Sequence, residues 1–364
     1  MSRRPAGALA GIAIVFLFFA APGGAAAGRP YSADALEVPR PAAPMRDVVR
    51  GAPGAAAARI SATASSQRYA IGDGTEATIE VAVTAACAMN CTDADPQQIA
   101  DFVGTLIHGP EVGLVSVQLD TPYQLAFECG FGAEACYFPG EDRIVLSGNE
   151  EVDEDGADRE FVLAHEYGHH VAQHRDLPAP FPSAVDWGTE RWASLEGVCS
   201  GRRHGRFFPG DEGYHYFEDP GEAFAEAFAH NRFPEAAVRW RWLPELAPTA
   251  ESFRAIQEDT LSPWQARTTF VLSGRVPARG EGAAVELLPT PLDGTVTLRP
   301  VGLHRRGYEL ALRSRAGRLL RSFRPRPTAR KQLDFTVCGQ SRLRLEIRSR
   351  SPHPTPYRLQ IQRP

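Results

Sequence analysis

Apolar positions along this chain change period from segment to segment, and each period predicts a different element. Between Thr75 and Val83, the residues Ala77, Ile79, Val81 and Val83 alternate with polar neighbours, as in a half-buried strand. Asp95-Pro96 then opens a helix: Asp95 suits an N-cap, Pro96 suits the first turn, and Ile99, Phe102, Val103, Leu106 and Ile107 form one stripe. Two strands are predicted next, Val112 to Leu119 and Tyr123 to Phe127, joined by a Thr121-Pro122 turn, with a further short strand from Arg143 to Ser147. An acidic, glycine-containing loop at 149–158 leads into a helix over about 159–174, whose apolar side carries Phe161, Val162, Ala164 and Val171. Residues 187–206 predict a short helix and loop. Asp219-Pro220-Gly221 starts another helix, with helical material running to about residue 260. From Thr268 onward the pattern returns to short alternating runs, such as 308–312 and 342–347. The expected architecture is an α+β domain over 66–262 followed by an all-β sandwich over 265–364.

The helix at 159–174 carries His165-Glu166-Tyr167-Gly168-His169, an H-E-x-x-H run. Residues four apart share a helix face, so His165 and His169 can reach one metal ion, with Glu166 beside it as a proton acceptor. A chance match on a surface helix is the competing reading. A third ligand must come from another element. The metzincin extension is absent, because it needs glycine at position 172 and histidine at 175, where the chain has Ala172 and Arg175. His170 and His174 are expected to be surface residues. The helix after Asp219 offers Glu222 and Glu226 on one face, among Ala223, Ala225, Ala227 and Ala229, which permit close helix packing. Two carboxylates on such a face are costly to bury without a cation.

Composition changes the picture at the two ends of the chain. Arg3 and Arg4 precede an apolar run from Leu9 to Ala21, then Ala25-Ala26-Ala27, the pattern of a cleaved export signal over 1–27. That run is shorter than the roughly 20 residues that span a bilayer. A retained anchor is the alternative. Residues 28–65, rich in Ala, Pro, Gly and Arg, read as a disordered linker or pro-segment. All 6 cysteines follow the signal, as expected for disulfides in an exported protein. Cys129–Cys136 is the first expected pair, with Cys87–Cys91 and Cys199–Cys338 completing the set. Residues 265–364 hold 20 Lys+Arg against 6 Asp+Glu, a balance of +14 in a chain whose net charge is −5. Such a module can bind an anionic cell-surface polymer, or can simply carry a solvated arginine-rich face. No platform of stacking aromatics is interleaved with the arginines, so no nucleic-acid partner is expected.

The two helices, His165-Glu-Tyr-Gly-His169 and Asp219-Pro-Gly-Glu-Ala-Phe-Ala-Glu-Ala-Phe228, resemble those of gluzincin metallopeptidases. The likeness is to the lethal-factor-like branch, with secreted actinobacterial zincin-like proteins as the nearest flavour, and it covers about residues 75–245. It implies a zincin-like domain with Zn2+ held by His165, His169 and Glu222, and Glu226 orienting a ligand histidine. It implies Glu166 as general base of a zinc-activated water in peptide hydrolysis, and a tyrosine at the oxyanion, Tyr216 rather than Tyr214. Asp219 stands where the family usually has Asn. The Arg143–Ser147 strand would be the edge along which an extended peptide lies. The alternatives are a non-catalytic secreted binding protein, or a zinc amidase acting on cell-wall material. In every reading the protein is expected to be secreted, extracellular or cell-wall associated.

Overall fold

Thr63–Ala70 (β1) and Thr78–Thr84 (β2) pair antiparallel, with Tyr69 opposite Ile79, and begin a five-stranded sheet. The structure, a computed structural model, describes residues 63–149, 157–235, 238–301, 308–324, 332–339 and 342–364. The expected signal at 1–27, residues 28–62 of the expected linker and residues 150–156 of the acidic loop lie outside the described residues. Residues 63–65, expected in that linker, belong to β1 instead, because the backbone there pairs with β2.

Ser116–Asp120 (β3) and Arg143–Ser147 (β5) run parallel to β2, and Ala135–Phe138 (β4) closes the sheet antiparallel to β5. The order is β1-β2-β3-β5-β4. This corrects one expectation: β5 is an interior strand and β4 is the edge. The chain after β4 turns back over 139–142, so that β4 covers the side of β5 that would otherwise be open.

Helices Ala85–Asn90 (α1) and Pro96–Thr105 (α2) pack near β1 and β2; Asp95 caps α2 through the Gln97 and Gln98 amides. Residues 122–129, expected to include a strand, form a helix (α3, Pro122–Cys129). Thr121 accepts from the Gln124 amide and Pro122 presets the first turn, so the cap overrides the apparent alternation of Tyr123, Leu125 and Phe127.

Arg159–Gln173 (α4) is capped by Asp158, whose carboxylate accepts from the Phe161 amide at 2.8 Å. Three short helices follow, Ala184–Trp187 (α5), Glu190–Leu195 (α6) and Val198–Arg203 (α7). Pro220–Arg232 (α8) packs against α4, and Ala250–Leu261 (α9) packs against α6 and α8. Between α8 and α9, where helical material was expected to continue, the described residues form coil and one 3-10 turn; Pro234, Pro244 and Pro248 remove the donors a helix needs.

The α4–α8 contact is unusually close. A Cβ on Gly168 would lie 2.9 Å from the Ala225 Cα and 3.0 Å from the Phe228 Cβ. Gly168→Ala should therefore push α8 off α4 and lower stability by about 1–3 kcal/mol. An unchanged Tm would show that the helices do not approach this closely.

The last hundred residues form two antiparallel four-stranded sheets. One has the order β10-β9-β12-β7, from Leu319–Phe323 (β10), Tyr308–Ser314 (β9), Arg342–Ser349 (β12) and Ala284–Pro289 (β7). The other, β11-β8-β13-β6, takes Leu333–Val337 (β11), Gly294–Pro300 (β8), Thr355–Arg363 (β13) and Thr268–Val276 (β6). Their inward side chains share one core, with Leu310 and Leu345 from the first sheet and Leu298 and Leu359 from the second. Both this core and the larger one around α4 lie within one compact unit that takes in all the described residues. Three disulfides are formed, Cys87–Cys91, Cys129–Cys136 and Cys199–Cys338. The last ties α7 to the end of β11. Among the described residues, no helix is long and apolar enough to cross a membrane.

Candidate metal centre

Helix α4 sets the first half of the site. His165 and His169 stand one turn apart, their ring centroids 5.1 Å from each other. Helix α8 supplies the other half. Asp219 caps it by accepting from the Gly221 amide at 2.8 Å, which places Glu222 in the first turn, facing α4. One Glu222 carboxylate oxygen lies 3.3 Å from His165 Nε2 and the other 3.5 Å from His169 Nε2. Ligand atoms of the three residues all fall within 4.8 Å of one another, and all three side chains are buried.

The far side of the His165 ring is also held. Its Nδ1 donates to Glu226 at 3.0 Å, so Glu226 fixes the ring rather than facing the same point as Glu222. Burial works against charge on His165, but Glu222 and Glu226 outweigh it and raise the ring's pKa well above its ordinary value. Burial likewise opposes charge on Glu222, and His169 and His165 overcome it, holding the carboxyl below the usual range. Glu166 differs: burial pushes it up to about 7, with the two histidines pulling the other way.

Two atoms make the chemical case: Glu222 Oε1 and His169 Nε2, 3.5 Å apart, are buried without a hydrogen-bond partner, and Glu166 Oε2 is unpartnered beside them. Orphaned polar atoms of this kind are costly, and a shared cation relieves that cost for donors converging on one point. Two imidazole nitrogens and a carboxylate suit a divalent ion such as zinc, leaving room for water. The residues present therefore fit a metal.

Tyr216 enters the same cleft. Burial, followed by the charges of Glu222, Glu166 and Glu226, raises the pKa of its hydroxyl well above the normal range. Tyr214 points outward and is 88% exposed. A cavity of about 330 Å3 opens over His165 and Glu166, walled by Tyr216, Trp242, Phe131 and the Ala133–Ala135 segment. Trp242, whose ring stands 6.1 Å from His165, was not foreseen; the only signal was its alternation with Trp240 in a segment read as helix. Asp186 was also missed. Burial raises its carboxyl to about 6, and the charge of His169 lowers it.

His170 is not a surface residue, contrary to expectation. It is fully buried, with Nε2 3.0 Å from the Glu111 carbonyl and Nδ1 3.1 Å from the Tyr137 hydroxyl. His174 is partly buried and reaches Asp142 at 2.8 Å. Asp142, His170 and His174 also bring ligand atoms together. Here, however, Tyr137, the Glu111 carbonyl and the cluster's own contacts already engage those atoms. This cluster braces the β4–β5 turn against α4.

No family model matches the chain and no curated protein matches it. Among solved structures, the chain is similar to the Yersinia pseudotuberculosis-derived mitogen at a TM-score of 0.21 and 13% identity, over 27% of this chain and 87% of that one. It is also similar to Legionella pneumophila aminopeptidase A, solved with aspartic acid, at a TM-score of 0.23 and 13% identity, over 80% of this chain and 36% of that one. The chain thus spans little more than a third of the aminopeptidase's length. Likenesses this weak assign neither a fold family nor an activity.

Proposed function

We propose that the protein is a secreted zinc-dependent metallopeptidase with a zincin-like domain of the lethal-factor-like kind and a β-sandwich accessory domain. The observation that carries this reading is the unpartnered Glu166 carboxylate oxygen, buried beside a converging His165, His169 and Glu222. In this reading those three residues hold zinc, and Glu226 keeps the His165 ring in register. When bound, zinc supplies Lewis acidity towards water and a scissile carbonyl. Glu166 takes the proton from the attacking water at a carboxylate oxygen and hands it to the leaving amine. The Tyr216 hydroxyl donates towards the oxyanion. An extended substrate pairs with β4, the observed edge strand, rather than with β5. Three disulfides accord with an oxidising, extracellular setting.

The test is direct. One zinc per chain, with casein cleavage abolished by a chelator and restored by zinc, is the expected result. Zinc-loaded protein that leaves casein intact sinks the peptidase reading, and activity on peptidoglycan in its place would move the assignment to a cell-wall amidase.

One face of the accessory domain favours an anionic surface polymer as partner. Arg342, Arg344 and Arg348 alternate along β12, and Arg344 lies opposite Arg313 of β9. Glu346 neutralises part of this, pairing with Arg313 at 2.9 Å. The protein should bind an immobilised polyanion in roughly 0.05 M salt and elute as salt rises towards about 1 M, where charges are screened within a few ångströms. Replacing the three β12 arginines by Gln should bring elution earlier; unchanged elution would assign the binding to another surface.

A further inference from the structure

The helix α3 buries one side and leaves the other uncovered. Leu125 and Cys129 pack into a small core with Cys136, Phe138 and Val145. The opposite side, continued into the next loop, carries Tyr123, Phe127 and Phe131, which are 69%, 45% and 85% exposed. Their spacing of four residues stacks them in a row. The Tyr123 and Phe127 rings meet edge to face at 4.8 Å, and Phe127 and Phe131 lie 5.9 Å apart. A contiguous aromatic surface of this kind is uncommon unless something covers it.

Two observations say what covers it. First, the row ends in the metal cleft: Phe131 lines the same cavity as His165 and Glu166. The Cys129–Cys136 disulfide closes the loop that bears Phe131, and Gly130, at φ 114°, turns the chain there, so the ring is held in place at the rim. Second, residues 121–142 contain no Lys or Arg, and Glu134 is exposed on the loop. A surface built to enter an anionic lipid interface carries basic residues beside its aromatics. This one does not.

We propose that Tyr123, Phe127 and Phe131 form a ladder that extends the cleft and receives bulky apolar side chains of an extended polypeptide, a few residues from the bond to be cut. This rests on the peptidase reading. It makes the substrate class proteins with apolar segments, and makes the two outer rings specificity-determining residues that act by binding, not by touching the reacting atoms.

The test uses the full chain loaded with zinc and two fluorophore-labelled peptides with one central sequence. One peptide is extended on both sides by Leu and Phe, the other by Ser and Gly. The wild type should favour the apolar peptide in kcat/KM by on the order of ten-fold or more, chiefly through KM. In the Tyr123→Ser/Phe127→Ser variant, whose changed side chains are solvent-facing, that preference should collapse towards parity. Fluorescence anisotropy on the Glu166→Gln background should show the same loss as weaker binding of the apolar peptide. A preference that survives the double substitution in both assays overturns the ladder. So does loss of sedimentation with phosphatidylcholine/phosphatidylglycerol vesicles while peptide preference is kept, which would make it a membrane contact. Cleavage of neither peptide alongside a ladder-dependent difference in anisotropy would retire the peptidase reading and keep the ladder as a binding surface.

Discussion

Glu166→Gln should retain one zinc per chain and lose about 10²–10⁴-fold in kcat/KM, the range a positioned general base supplies. Glu166 lies next to His165 in α4 yet is not among the three converging ligands, so the amide leaves the donor set intact. What is lost is a carboxylate with an unpartnered, buried oxygen. The pH profile gives a second reading. Burial raises this carboxyl to about 7, and the two histidines already pull it down. A divalent cation beside it pulls in the same direction, because positive charge favours the ionised form. A base must be ionised to accept a proton, so kcat/KM should fall as pH drops through a limb at or below about 7. The residual activity of the Gln variant should lack that limb. Turnover at the wild-type level, or zinc lost with the amide, would remove Glu166 from this role.

The residues of this site were readable because their information is local. Asp158 and Asp219-Pro220 announce where α4 and α8 begin, and a spacing of four puts His165 with His169 and Glu222 with Glu226 on common faces. Alternation marked β9 and β12 equally well. Most of the failures depended on a neighbour elsewhere in the chain; α3 is the exception. Ala135–Phe138 is buried at every position, so β4 shows no alternation by which to recognise it. Whether β5 is an edge or an interior strand is decided by β4, not by its own residues. Tyr123, Leu125 and Phe127 imitate a strand because the exposed side of α3 is aromatic where a solvated helix side would be polar. His170 looks like a surface residue until Tyr137 and the Glu111 carbonyl, from other parts of the chain, close over it. Polarity alone cannot signal a buried histidine whose partners lie elsewhere.

Glu222→Ala should abolish tight zinc binding, and its contrast with Glu226→Ala separates the roles of the two carboxylates. On the proposed reading, removing Glu222 takes away the ligand from α8 and leaves two imidazoles, too few for a site that needs three protein donors. Removing Glu226 frees the His165 ring without deleting a donor, and should weaken zinc about 10–100-fold while a metal-loaded state remains reachable. Thermal stability reports the same difference. Metal held at roughly 1,000 times its Kd stabilises the folded state by about 4 kcal/mol, so a chelator should lower the Tm of the wild type by several degrees. In Glu222→Ala that chelator effect should vanish, because no bound metal is there to remove. In Glu226→Ala it should persist when zinc is supplied in excess. The metal-free wild type also sets the baseline: Glu222 pairs with His165 at 3.3 Å, so the variant leaves that ring less compensated and should unfold somewhat earlier even without zinc. If Glu222→Ala keeps one zinc per chain through dialysis and still loses Tm to a chelator, the third ligand lies elsewhere and α8 is a packing partner of α4 alone.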